Sequence, residues 1–325
     1  MSSALFRPSV RGRGARAGAM GYSLIELMIA SAIGLFLVGV VSAAFIASKS
    51  SEKTGAAGQE ISTNGDYAMS VIRRDFLLAG FQGITWATPT APTTTIGTIT
   101  NECLTAGFAT NLRQNIWGSN DANPFSATCI PAANYSTGDV LVVRHASVDT
   151  TAAASRAANV IYFRSAYERG EVYKGTTVPT GQIQTPFFDY ALETNVYYIS
   201  PYTVSAAESP LVPALYRLTL GAGPAMSAQL LASNIQDMQI QYGRYTTDLN
   251  TRYYNANSIT GTSTDALAGE WDDVSVVQIW LLVRGTLPEP GYVNTSTYTM
   301  GDKTVTVNDG YRRQLFSAVV HLRNF

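Results

Sequence analysis

The sequence predicts an α+β protein in which a long amino-terminal α-helix packs on a body built from a mainly antiparallel β-sheet. An uncharged apolar run covers residues 27–47, and apolar residues then recur three or four positions apart as far as residue 80. Both patterns are typical of helices. Much of the remaining chain alternates between segments rich in Val, Ile, Tyr and Phe and connections rich in Pro, Gly, Thr and Asn, which predicts strands and turns.

The charge of the chain is distributed unevenly. The chain has 325 residues, enough for a sizeable core, and 14% of them are charged. Residues 1–21 contain Arg7, Arg11, Arg13 and Arg16 and no acid. The remainder contains 18 basic and 23 acidic side chains, a net charge of −5. Such a body is not drawn to phosphate backbones, so no direct binding of nucleic acid is predicted.

Residues 27–47 are long enough to cross a membrane. At about 1.5 Å per residue a helix of this length spans about 30 Å, the thickness of the hydrocarbon core. Arginines precede the run and the first cation after it is Lys49, which predicts a cytoplasmic leader, a helix in contact with inner-membrane lipid, and a periplasmic body. A secretory signal cleaved near residues 42–44 is the alternative, but the apolar run is long for such a signal.

The residues at the start of this run form a recognisable motif. Residues 20–29, MGYSLIELMI, resemble the class III prepilin motif of glycine, an aromatic residue and then S/T-L-x-E-L. The resemblance implies a pilin-like fold, and it implies that a prepilin peptidase cuts between Gly21 and Tyr22 and methylates the new terminus at Tyr22. It divides the chain into a removed leader (1–21), a transmembrane and assembly helix (22–47), an amphipathic helix extension (48–80) and a β-rich exported body (81–325).

The motif contains a single acid, Glu26. A charged side chain costs about 2.5–3.5 kcal/mol at the centre of a membrane helix and less near the interface, so it needs a partner. The family resemblance implies that the amine of a mature Tyr22 pairs with Glu26 of the neighbouring subunit and fixes the axial register of a filament. The alternative is an acid that merely reaches the membrane surface.

A second helical segment follows the apolar run. We expect Gly55 and Gly58 to loosen the helix, after which the apolar spacing resumes and predicts an amphipathic helix that ends near Gly80. The positions that carry this spacing are Ile61, Ala68, Val71, Ile72, Phe76 and Ala79. This apolar stripe packs either on the sheet of its own body or on helices of partner subunits, and the first is the favoured interpretation.

A narrower resemblance lies in residues 64–81, NGDYAMSVIRRDFLLAGF. They are similar to the N-G-R-F-A-x-x-x-x-x-D-L-R-x-A-G-F stretch of PilW-type minor pilins, although Asp66 replaces a basic residue and Phe76-Leu77 replaces Leu-Arg. Further similarity lies in residues 231–243, 271–284 and 312–324. Residues 82–230 are not diagnostic.

The body is predicted to contain strands at residues 139–144, 159–164, 196–199, 214–220, 238–242, 274–283 and 313–322. Only short helical pieces separate them, which favours antiparallel pairing. Two long loops are predicted, a Thr- and Pro-rich one at residues 82–101 and an Asn-, Thr-, Ser- and Gly-rich one at residues 246–270. Each is interpreted as a surface insertion or, alternatively, as a contact surface for partners.

The side chains that could carry chemistry are few. Cys103 and Cys129 are the only cysteines, and in an exported body one disulfide is the economical interpretation, with two unpaired buried thiols as the alternative. The histidines, His145 and His321, have no partner at metal-ligand spacing, so no metal, no cofactor and no catalytic residue is predicted. The pair Asp272-Asp273 is interpreted as the start of a strand.

The resemblance implies a non-enzymatic minor pilin of a type IV pilus, which primes pilus assembly at or near the tip and supports twitching motility, adhesion or DNA uptake. The implied partners are other minor pilins, the major pilin, the prepilin peptidase and a large tip adhesin. The implied location is the inner membrane before assembly and the extracellular pilus afterwards. Two alternatives stay open: a J-type minor pseudopilin of type II secretion, and a membrane-anchored periplasmic binding module.

Overall fold

The structure is a computed structural model that describes residues 21–87, 89, 95–179, 185–245, 250–259 and 269–324. The arginine-rich leader, apart from Gly21, lies outside these residues. The chain divides into two compact units, Met1–Lys53 and Thr54–Phe325. The second unit contains all the strands of the described part of the chain.

Helix α1 spans Leu24–Leu78 without a break. The expectation that Gly55 and Gly58 loosen it was wrong, because both glycines lie inside continuous helix. A glycine costs about 1 kcal/mol relative to alanine in a helix, and burial of the apolar stripe further along α1 offsets a penalty of this size. The helix ends where expected, two residues before Gly80, whose φ of +74° is the left-handed conformation that favours glycine.

The described residues form thirteen strands. They are β1 (Ile116–Ser119), β2 (Val140–Thr150), β3 (Ile161–Ala166), β4 (Gly170–Lys174), β5 (Phe187–Ser200), β6 (Ala214–Gly221), β7 (Ala225–Ser233), β8 (Ile235–Tyr245), β9 (Thr251–Tyr254), β10 (Val274–Arg284), β11 (Thr297–Met300), β12 (Lys303–Thr306) and β13 (Arg313–His321). All pairings between these strands are antiparallel, which confirms the predicted α+β class.

The strands form two main sheets. The first has the order β1-β2-β5-β3-β4, while β6 also pairs with β5 and β7 pairs with β6. The second has the order β13-β10-β8-β9, and β11 and β12 form a separate ribbon. In the second sheet, β10 pairs with β13 over nine positions, from Val276 opposite His321 to Arg284 opposite Arg313. The long β10 is therefore held on both sides, which fits its near-continuous apolar sequence.

Each of the seven predicted strands overlaps an observed one, and six strands were missed: β1, β4, β7, β9, β11 and β12. The predicted loop at residues 246–270 was wrong in part, because β9 and a short 3-10 helix at Ala256–Ser258 lie within it. Residues 246–249 and 260–268 of this loop lie outside the described residues. Strand β9 pairs through its backbone with β8, with Tyr254 opposite Tyr242, and its four residues TRYY include three that favour strands.

The apolar stripe of α1 packs against the sheets of its own body, as the favoured interpretation predicted. Ile61, Ala68, Met69, Ile72 and Phe76 are buried in one core with residues of both sheets, including Leu141, Tyr197, Ile279 and Leu281. The approach is close at Gly65, where a Cβ atom would collide with the ring of Phe316 on β13. Helix and sheets are thus stabilised mainly by burial of apolar surface.

A second core lies against residues of β2, β3 and β5 and is covered by irregular chain between residues 99 and 130. Phe108, Leu112, Phe125 and Ile130 of that segment are buried together with Val142, Phe163 and Val196 of the strands. Strand β2 therefore has buried residues on both of its faces. Leu141 and Val143 belong to the first core, and Val140 and Val142 belong to the second.

A buried acid, Asp139, lies just before β2. Its carboxylate accepts hydrogen bonds from the backbone N–H groups of Asp121 (2.9 Å) and Ile240 (2.7 Å). Nearby, the Lys303 ammonium binds Asp121 (2.7 Å) and Asp237 (2.8 Å). Burial raises the pKa of Asp139 to about 7, and the two backbone hydrogen bonds oppose the rise.

This shift predicts a dependence of stability on pH. Between the unfolded pKa of 3.8 and the folded value of about 7, Asp139 is protonated in the folded state and ionised in the unfolded state. The free energy of unfolding therefore falls as pH rises through this window. The decrease is on the order of 2–4 kcal/mol, at about 1.4 kcal/mol per pKa unit. We expect urea denaturation of the full-length protein in detergent to show this slope between about pH 5 and pH 7. Asp139→Asn should remove most of the slope, and an unchanged slope in that variant would contradict the assignment.

Candidate processing and assembly site

The start of α1 is a capping box built from Ser23 and Glu26. The backbone N–H of Glu26 donates to the Ser23 hydroxyl (3.2 Å), and the backbone N–H of Ser23 donates to the Glu26 carboxylate (2.8 Å). These reciprocal bonds satisfy two N–H groups that a helix end otherwise leaves without partners. A carboxylate in the first turn is also stabilised by the positive end of the helix dipole. The segment preceding the helix is thereby fixed next to Glu26.

Gly21 and Tyr22 precede this box and are open to an approaching protein. Tyr22 is 90% exposed. A Cβ atom built on Gly21 has no atom within 4 Å, and its backbone is not in the left-handed region. The glycine is therefore not required by the fold of the chain around it. Its lack of a side chain leaves the peptide bond between Gly21 and Tyr22 unshielded.

The helix beyond Glu26 is apolar on all sides. Leu27, Ile33, Phe36, Val41 and Ile46 are all more than half exposed although they lie on different faces. The most apolar window of α1 has a mean hydropathy of 2.5, none of it buried within the protein, so α1 is long and apolar enough to cross a membrane. A helix that is apolar all round has to be covered by lipid or by other helices. Three small residues, Ala30, Ser31 and Gly34, lie in this segment, and a Cβ atom on Gly34 would meet nothing within 4 Å.

The structure joins the two cysteines. Cys103 and Cys129 are bonded through their Sγ atoms, with their Cα atoms 5.0 Å apart, and both side chains are buried in the second core. The bond closes the irregular segment that covers β2 and β3. This segment has little regular structure of its own, so few backbone hydrogen bonds hold it in the folded state. The disulfide stabilises it by restricting the conformations of the unfolded chain.

Removal of this bond should lower stability. For a sequence separation of 26 residues, the chain-entropy model gives about 3.5 kcal/mol. We expect the double variant Cys103→Ser/Cys129→Ser to lose about 2–4 kcal/mol in free energy of unfolding while α1 keeps its helical circular dichroism signal. The matched measurement is alkylation of denatured, unreduced wild-type protein. Labelling of both thiols without reductant would favour the alternative of unpaired cysteines.

One buried acid was not identified as a separate site from the sequence. Asp75, near the end of α1, is buried against the first sheet, where it accepts hydrogen bonds from the Asn195 amide (2.6 Å) and the Tyr197 hydroxyl. Burial and the Asp75 carboxylate hold the pKa of Tyr197 well above its usual value. The available signal was an acid directly before Phe76, within the apolar stripe. This contact fixes the rotation of α1 on its sheet.

The other polar residues that the sequence analysis considered contact groups of the folded body. His145 is buried, with Nδ1 2.9 Å from the Ala146 carbonyl. Asp273 binds Arg244 (2.6 Å) directly before β10, which agrees with the predicted strand start. Among the residues that the structure describes, no group of three His, Cys, Asp or Glu side chains is placed to hold a metal ion.

Comparison with known proteins gives two similarities. Residues 196–324 match the family model of PilW, described as Type IV Pilus-assembly protein W. A solved type IV-like pilin from Thermus thermophilus aligns with 82% of this chain and 96% of its own, at 12% identity and a TM-score of 0.35. No curated protein sequence gives a significant match. The matched residues include β6 to β13, and therefore the whole of the second sheet.

Proposed function

We propose that this chain, a PilW-type pilin-like protein, is a non-enzymatic minor pilin that primes assembly of a type IV pilus and occupies a position at or near its tip. The observation that carries the proposal is the combination of two parts in one chain. A PilW-type body (residues 196–324) follows an all-round apolar helix whose first turn holds one carboxylate beside an open Gly21-Tyr22 bond.

In the proposed sequence of events, a prepilin peptidase removes residues 1–21 and methylates the amine of Tyr22. The new amine is positively charged and lies four residues before the first-turn carboxylate in the chain. On assembly, the helix leaves lipid for a filament core in which water is scarce, so Glu26 there requires a cation. The amine of Tyr22 on the adjacent subunit supplies it.

The capping box gives Glu26 two roles, which a suitable variant can separate. As an acceptor for the Ser23 N–H it orders the start of α1, and as an anion it pairs with the neighbouring amine. The second role explains why the acid is tolerated in a helix that otherwise lacks charge from Leu27 to Ser48. Other minor pilins, the major pilin and a large tip adhesin are the proposed partners, and support of twitching motility, adhesion or DNA uptake is the proposed outcome.

The proposal is tested by deleting the gene for this chain in its host. Cells that lack it should show a large loss of surface pili, restored by the wild-type chain, and mass spectrometry of sheared pili should find it at trace levels relative to the major pilin. Crosslinking from the body should capture other minor pilins. Intact pili together with a defect in protein secretion would instead support a pseudopilin of type II secretion.

A further inference from the structure

A cleft beside the carboxyl-terminal end of α1 has the features of a ligand site. Its volume is about 500 Å³, within the roughly 300–1,000 Å³ usual for small-molecule sites. Its lining includes Gln82, Trp86, Arg113, Asn115, Asp272 and Asn324. The cleft lies entirely within the unit Thr54–Phe325. None of these residues belongs to the processing site.

Trp86 is the unusual member of this lining. It is 71% exposed, whereas Trp271, in the first core, is 5% exposed. A single exposed indole is common on protein surfaces, but this one lines a cleft, where its face is available for stacking. The exposed ring lies in a polar cleft and not on a broad apolar surface, so its chemistry suits a ligand that has one apolar face and a polar rim.

The segment that carries Trp86 is held firmly by β3. The Ser165 hydroxyl donates to the Gln82 carbonyl (2.7 Å) and accepts from the backbone N–H groups of Ile84 (2.9 Å) and Thr85 (3.0 Å). The backbone N–H of Trp86 itself donates to the Tyr167 carbonyl (3.3 Å). This wall of the cleft is therefore ordered before any ligand arrives, which lowers the entropic cost of binding.

The lining of the cleft also supplies hydrogen-bonding groups. The Gln82 amide nitrogen donates to the Leu112 carbonyl (2.9 Å), and the Asn324 amide nitrogen donates to carbonyls of the last turn of α1. These bonds fix the orientation of both amides, so their carbonyl oxygens are acceptors at defined positions.

The charge of the cleft restricts the class of ligand. Its charged lining residues are one cation, Arg113, and one anion, Asp272, so the cleft has no net preference for an ion. A second cleft, at Phe187, is lined by Arg164 and Arg156, which lie 2.8 Å and 3.3 Å from Asp189. Of these two clefts, the one at Trp86 combines an exposed aromatic ring with uncharged amides.

We propose that the Trp86 cleft binds a neutral saccharide. The C–H face of a pyranose ring would stack on the Trp86 indole, and its hydroxyl groups, each a donor and an acceptor, would bond to the amide oxygens of Gln82 and Asn324. Binding at this site is a property of the body and does not depend on the role of this chain in pilus assembly.

The test uses the purified full-length protein in a detergent without a sugar headgroup, applied to an array of neutral and sialylated oligosaccharides. We expect binding to neutral oligosaccharides, which calorimetry with the best one would quantify. Trp86→Ala should weaken binding at least tenfold, while Trp86→Phe, which keeps a ring, should retain part of it. Tyr67→Ala is the matched control, because Tyr67 is a half-exposed aromatic residue on α1 outside the cleft.

Circular dichroism should show that the Trp86 variants keep the fold, since this side chain is exposed. Three results would overturn the proposal: no binding to any oligosaccharide of the array, binding confined to sialylated ones, or equal binding by wild type and Trp86→Ala. Loss of binding in Tyr67→Ala to the same extent as in Trp86→Ala would also place the ligand elsewhere.

Discussion

The variant Glu26→Gln should be processed and methylated normally but should enter pili at least tenfold less than the wild type. Glutamine keeps an oxygen that accepts the Ser23 N–H, so the capping box survives. Only the negative charge is lost, which leaves the amine of Tyr22 on the adjacent subunit without a counter-charge in the filament core. Removing one partner of a buried ion pair costs about 3–5 kcal/mol.

Immunoblots of sheared pili and of inner membranes would measure this effect. The chain should accumulate in the membrane and be depleted from the pili. Ser23→Ala is the matched control, since it removes the cap at a cost of about 1 kcal/mol but leaves the charge, and it should assemble far better than Glu26→Gln. Equal incorporation of Glu26→Gln and wild type would refute the role of the charge.

The variant Gly21→Val should block removal of the leader. A branched side chain next to the scissile bond would fill the space that the glycine leaves open to the peptidase, and the fold should not change because nothing lies within 4 Å of that position. We expect processing to fall at least tenfold, with a smaller decrease for Gly21→Ala. Intact-mass spectrometry of the membrane-bound chain would show the retained leader.

Gly18→Val, a substitution of the same kind three residues earlier in the leader, controls for a general effect of bulk on insertion. It should be processed at a near-normal rate. Cleavage of Gly21→Val as fast as the wild type would mean that this bond is not the processing site. A soluble product lacking the apolar helix would instead support the alternative of an ordinary secretory signal.

The α+β class was predictable because strong local patterns carry it. The apolar run and the stripe from Ile61 to Phe76 have a clear helical period, and β10 and β13 are rich in β-branched and aromatic residues. Five of the missed strands contain such residues but are only four or five residues long, and the sixth, β7, lacks the pattern. Strand β7, AMSAQLLAS, contains no β-branched apolar or aromatic residue, and it is a strand because β6 offers its backbone groups as partners.

The two proposed sites also differ in how far the sequence alone identifies their residues. The residues that we propose for processing and assembly are identified from the sequence alone, because they lie within six consecutive positions from Gly21 to Glu26. The reciprocal hydrogen bonds between Ser23 and Glu26 were overlooked, although the S-x-x-E spacing before an apolar run is their signature. The Trp86 cleft was not predictable, since its lining comes from residues 80–83, 85–87, 89, 112, 113, 115, 272 and 324.

The sequence by itself thus determined the membrane-compatible helix, its charged first turn and the α+β class, because each depends on residues that are close together in the chain. Only the tertiary structure decided which strands pair, that Asp75 is bound by Asn195 and Tyr197, and that an exposed indole shares a cleft with the amides of Gln82 and Asn324. Those features depend on contacts between residues far apart in sequence. Packing and backbone pairing, not local preference, bring such residues together.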